Sequence, residues 1–212
     1  MKKNVMMRVA SALLVAVLMT TCAISGTFAK YTTSDTASDN ARVAYWGVTV
    51  EVTGENAFAK KYDDTASDSG VKVVSDTEVV APGTEGTLAT VAITGTPEVM
   101  VNVNVAVDLE LVGWVIDTNV EYCPLVFTVG ATEIKQTGTI EEFEEAVETA
   151  VINELKKENV TVGTNLADNL TVSWEWAYTN GDEADVKDTK LADLSTAPTV
   201  AFTCTVDVTQ VD

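Results

Sequence analysis

The residues of this chain that could do chemistry are carboxylates and thiols, and their spacing narrows what they can do. Asp182, Glu183, Asp185 and Asp188 fall in the segment TNGDEADVKD, and Asp63, Asp64 and Asp68 fall in a second stretch rich in Ser, Thr and Gly. Oxygen donors gathered on loops suit a weakly bound calcium ion, which takes about six to eight oxygen ligands. Neither stretch has the spacing of an EF-hand, and solvated acidic loops have the same composition. No other cofactor is implied. Outside the amino-terminal segment the thiols are Cys123 and Cys204. They either close one disulfide, for which loop entropy gives about 4 kcal/mol, or remain two separate buried thiols. The chain has no histidine. That removes the usual general base, the usual zinc ligand and the partner that would activate a cysteine nucleophile. No catalytic residue is expected, and the chain reads as non-enzymatic.

The elements that must position these residues show mainly period-two alternation. Residues 43–53 place Trp46, Val48, Val50 and Val52 on one side, and Val99 to Leu111 carries an aliphatic residue at every odd position. Such alternation is the mark of half-buried strands. Shorter strands are expected near 71–80, 87–94, 125–129 and 132–137, the last two forming a hairpin through Gly130. Leu170, Val172, Trp174, Trp176 and Tyr178 share a face, as do Val200, Phe202, Cys204, Val206 and Val208 in a closing strand over about 199–210. The phase of Trp174 and Trp176 makes them core residues rather than a sugar-stacking platform.

One helix is expected over about 139–157. Thr139 and Glu142 have capping-box spacing, and Phe143, Ala146, Val147, Ala150, Val151 and Leu155 recur at helical intervals. Glu141, Glu142, Glu144 and Glu145 read as a solvated end matched to the helix dipole, with Lys156 and Lys157 at the opposite end. The predicted fold class is all-β: a two-sheet antiparallel jelly-roll-like sandwich with one inserted amphipathic helix, spanning 43–212.

The first 29 residues have the layout of a cleavable signal peptide. Lys2, Lys3 and Arg8 precede an apolar run from about Val9 to Met19, and Thr27-Phe28-Ala29 makes a cleavage end before Lys30. The apolar run falls short of the roughly 20 residues a spanning helix needs. No stable membrane insertion is expected after cleavage. Removal takes three of 13 basic residues and none of 32 acidic ones, moving the formal charge from −19 to −22. Such a charge repels nucleic acid and anionic lipid and attracts cations. Residues 30–42, including Tyr31, Thr32, Thr33, Ser34 and Asp35, then form a polar amino-terminal arm.

The junction GTFAKYTTSDTASDNARVAYWGV resembles that of proteins released by the SipW-type signal peptidase, the TasA and camelysin family of Gram-positive bacteria. The matching residues are Gly26, Thr27, Phe28, Ala29, Tyr31, Ser34 and Asp35. The Trp174-x-Trp176 strand, the acidic segment Asp182 to Asp188 and the closing Thr209-Gln210-Val211-Asp212 are also similar to members of this group. The resemblance implies a secreted jelly-roll subunit of biofilm-matrix fibres, located in the extracellular matrix or at the cell surface. It also implies that the arm Tyr31 to Asp35 adds as a strand to the next copy, with signal peptidase as a partner during export. Members described as camelysin metallopeptidases would need a zinc constellation that a chain without histidine lacks. A cell-surface adhesin or glycan-binding sandwich is the alternative that the residues leave open.

Overall fold

The computed structural model describes residues 6–17, 43–54, 57–62, 73–179 and 181–211. The chain divides into two units, Met1–Val43 and Ala44–Asp212. In the first, residues 6–17 form a helix, α1, which takes in the expected apolar run from Val9 as far as Val17. Among the described residues no helix is long and apolar enough to cross a membrane. The cleavage residues Thr27, Ala29 and Lys30, the arm residues Tyr31 to Asp35, and Asp63, Asp64 and Asp68 lie outside the described residues.

The second unit is β-rich, and its sheets are antiparallel. In chain order the elements are β1 (Val48–Thr53), β2 (Ala59–Lys61), β3 (Val74–Val79), β4 (Thr84–Gly95), β5 (Val101–Val112), β6 (Val115–Ile116), β7 (Val120–Glu121), β8 (Val126–Val129) and β9 (Thr132–Lys135). They are followed by α2 (Ile140–Leu155), β10 (Lys157–Val160), β11 (Leu166–Trp176), α3 (Asp182–Ala192) and β12 (Thr199–Gln210). A five-stranded sheet has the order β1-β4-β11-β8-β9, and a three-stranded sheet the order β10-β5-β12. The hairpin β8–β9 turns at Gly130 as expected, with Val129 opposite Thr132.

Alternation translates into burial most cleanly on β4 and β11, where Val91, Ile93 and Val172 are wholly buried. One core unites the two sheets and α2, which contributes Phe143, Val147, Val151 and Leu155. The strand expected from residue 43 begins only at Val48. Gly47 has φ 67°, and a Cβ there would lie 2.2 Å from the Thr96 carbonyl oxygen. Opposite, a Cβ on Gly95 would lie 1.9 Å from the Gly47 carbonyl oxygen, so the backbones meet at a spacing only glycine permits.

The capping box forms as its spacing predicts. The Thr139 hydroxyl accepts from the Glu142 N–H, and the Glu142 carboxylate accepts from the Thr139 N–H. The carboxyl end differs from expectation. The helix stops at Leu155, and its last turn holds no basic residue. Lys156 pairs with Glu158, and Lys157, already in β10, pairs with Asp168 at 3.0 Å. A second correction concerns the acidic segment Asp182 to Asp188, which is the first part of α3 and not a loop. Acidic residues in a first turn favour the positive end of the helix dipole, and Leu191 and Asp188 anchor α3 to the core.

Candidate functional site

The three-stranded sheet has two contrasting edges. On one side β10 covers β5 only near Val101 and Val103. Beyond it, α2 takes over: the Leu109 N–H donates to the Glu148 carboxylate at 2.9 Å, and the Leu111 N–H donates to the Glu144 carboxylate. Glu144, expected to be solvated, therefore blocks a sheet edge. An edge strand with unpaired N–H groups is a template for another chain, and side chains placed across it prevent that pairing.

The other edge is β12. Among the described residues, its ladder partner is β5 alone, in register from Thr199 opposite Val112 to Gln210 opposite Val101. Since Leu109 and Leu111 direct their N–H groups toward α2, the even-numbered residues of β5 face β12 and bond its odd-numbered residues. Val200, Phe202, Cys204, Val206, Val208 and Gln210 thus turn their backbone N–H and C=O groups away from β5. β12 comes close to β1 without pairing with it. The inner face is correspondingly thin. Val103 and Leu109 are buried, whereas the cross-strand pairs between them, Val105 with Val206 and Val107 with Cys204, are only half-buried. A twelve-residue edge beside a half-covered apolar strip has the geometry that strand addition uses in other proteins.

The acidic residues of α3 do not converge. Asp188 is buried and serves the core: its carboxylate accepts from the Tyr122 hydroxyl at 2.7 Å and from the Trp176 indole N–H at 3.1 Å. Burial, reinforced by that carboxylate, raises the Tyr122 phenol well above its ordinary value. Asp182, Glu183 and Asp185 occupy the first turn of the helix. Among the described residues, no group of three or more Cys, Asp or Glu side chains could hold a metal ion. Trp174 and Trp176 are buried, as their phase predicts, so the two indoles do not form an exposed platform on the strand.

Cys123 and Cys204 are separate free thiols, so the disulfide alternative is not the one realised. Cys204 lies on β12, while Cys123 is buried in the segment between β7 and β8, its N–H held by the Gln136 side-chain oxygen. Burial pushes the Cys123 thiol up to about 12, against a lowering by a backbone hydrogen bond at Leu125. Burial also raises the Cys204 thiol. In the chain beginning at Lys30, a thiol reagent at about pH 8 is expected to leave Cys123 unmodified until the protein is denatured. Rapid labelling of Cys123 in the native state would contradict this. Above pH 9.0, the ordinary thiol value, the unfolded chain loses the Cys123 proton first, so stability falls as pH rises from 9.0 towards about 12.

No family model matches the chain, and no curated protein matches it.

Proposed function

We propose that this protein is a secreted structural subunit of extracellular fibres, in which residues 30–42 of one molecule add as a strand along β12 of the next. The observation that carries the reading is the asymmetry of the three-stranded sheet. One edge is closed by Glu144 and Glu148, and the other presents the even-numbered residues of β12 over a half-buried strip. The two sheets are then read as an open, jelly-roll-like sandwich completed by a strand from a neighbour. The lengths agree: at about 3.3 Å per residue the arm spans about 40 Å, as does β12 with its 12 residues. At strand spacing, Thr32, Ser34, Thr36 and Ser38 share a face, and their small side chains suit a shallow strip.

Head-to-tail addition of this kind is heterologous and need not close, so it builds filaments rather than discrete oligomers. The charge of −22 after signal removal opposes it, and salt relieves that repulsion within a Debye length of about 8 Å at physiological ionic strength. Assembly is therefore expected to rise with salt. The test is negative-stain microscopy of chains beginning at Lys30 and at Ala41. Fibres are expected from the first and only monomers from the second. Equal fibres from both would place assembly elsewhere, and monomers from both at every salt concentration would end the donor-arm reading.

A further inference from the structure

At the end of the molecule formed by α3, the carboxyl end of β11 and the turn before β4 lies a cavity of about 610 Å³. Its volume falls within the range of small-molecule sites, about 300–1,000 Å³. Trp114 and Trp176, both buried, form part of its wall with their rings 6.0 Å apart, and Tyr178, more than half exposed, stands at its rim. Pro82 and Pro198 add apolar surface.

The charge of the lining has one sign. Asp185 and Asp188 contribute carboxylates, and among the described residues no lysine or arginine lines the cavity. Asp188 is only 7% exposed, and among the described residues its hydrogen-bond donors are the Tyr122 hydroxyl and the Trp176 N–H, both neutral. Buried carboxylates are ordinarily paired with a cation. The two lysines of α3 are directed elsewhere: the Lys187 ammonium lies 5.2 Å over the Tyr122 ring centre, and Lys190 pairs with Asp117. The cavity thus joins aromatic walls to a buried negative charge. An ammonium group on an aromatic or aliphatic body matches it, with the charge toward Asp188 and the body against Trp114, Trp176 and Tyr178.

We propose that this cavity is a binding site for organic amines, either free or as the terminal amine of a peptide. The cavity adjoins β12 only at Ala197 and Pro198, ahead of its first residue, and uses none of the outward-facing groups from Val200 to Gln210, so its test does not depend on fibre assembly. The test titrates the chain beginning at Lys30 with 2-phenylethylamine, with its uncharged counterpart 2-phenylethanol, and with the peptide Phe-Gly-Gly in free and N-acetylated forms. Indole and backbone NMR shifts are followed up to about 10 mM. Saturable shifts at Trp114, Trp176 and Tyr178 are expected from the amine, at an affinity at least about tenfold above that of the alcohol, since charge-assisted hydrogen bonds are roughly twice as strong as neutral ones. Binding by free Phe-Gly-Gly but not its acetylated form would assign the site to peptide termini, and binding by the amine alone would assign it to small molecules.

Asp188→Asn is expected to remove the preference for amine over alcohol. Because that change also touches the core, Tyr178→Ala at the exposed rim provides a second variant, expected to weaken amine binding several-fold with its melting temperature unchanged. Equal affinity for amine and alcohol, or no saturable shift at these residues, would overturn the proposal.

Discussion

Trp174→Ala is expected to lower the unfolding free energy by about 3–5 kcal/mol, the range for truncating a large buried aromatic. Trp174 is 2% exposed and sits on β11 between β4 and β8. Its ring meets Phe58 at 5.5 Å and the edge of Tyr62 at 6.5 Å, and its indole N–H donates to the Ala57 carbonyl at 2.9 Å. Removing it opens a cavity and strands a carbonyl, and the segment carrying Ala57, Phe58 and Tyr62 loses its anchor. Gly86, opposite Trp174 on β4, shows how close the fit is, since a Cβ there would lie 2.7 Å from the indole nitrogen. Denaturant unfolding measures the loss. A change below about 1 kcal/mol would contradict the placement of this residue in the core.

The second large effect concerns assembly rather than stability. Val206 lies opposite Val105, and its N–H points away from β5. Proline at such a position keeps the strand's own ladder intact while removing an outward donor and placing a ring where an incoming backbone would lie. Val206→Pro is expected to keep the monomer folded, within about 2 kcal/mol of the parent, and to cut the fraction in fibres at least about tenfold. Thr205→Pro is the control, because Thr205 faces Ala106 and its N–H belongs to the ladder. That change should destabilise the monomer itself. Undiminished fibres from Val206→Pro would remove β12 as the acceptor.

Much of this fold is legible in the sequence because its information is local. The closing strand falls on Thr199–Gln210 as the alternation of Val200, Phe202, Cys204, Val206 and Val208 requires, and Thr139 with Glu142 marks the start of α2. What escapes is what depends on distant partners. The acidic segment at 182–188 reads as a loop because its apolar period is weak and one of its two buried anchors is Asp188. Only its partners, Tyr122 far away in sequence and Trp176 on the preceding strand, make that aspartate an interior residue. Gly181 ahead of the segment, acidic residues in the first turn and Lys190 in the last are helix signals that the oxygen-rich composition obscured. Glu144 likewise looks solvated until β5 is placed beside it.

The candidate site was half visible for the same reason. Alternation on β5 and β12 shows which side chains face inward, but it does not show that the strip at Val105, Val107, Cys204 and Val206 stays half-covered. Nor does it show which edge of β5 is blocked. That depends on β10 ending its pairing near Val101 and Val103, and on α2 starting far enough along to reach Leu109 and Leu111.

The most direct test of strand addition at β12 is residue-resolved hydrogen exchange of the chain beginning at Lys30, compared between monomer and fibre. The even-numbered amides Val200, Phe202, Cys204, Val206, Val208 and Gln210 should exchange readily in the monomer and become protected in the fibre. The odd-numbered amides, already bonded to β5, should be protected in both. Fibres whose even-numbered β12 amides exchange as they do in the monomer would contradict the account.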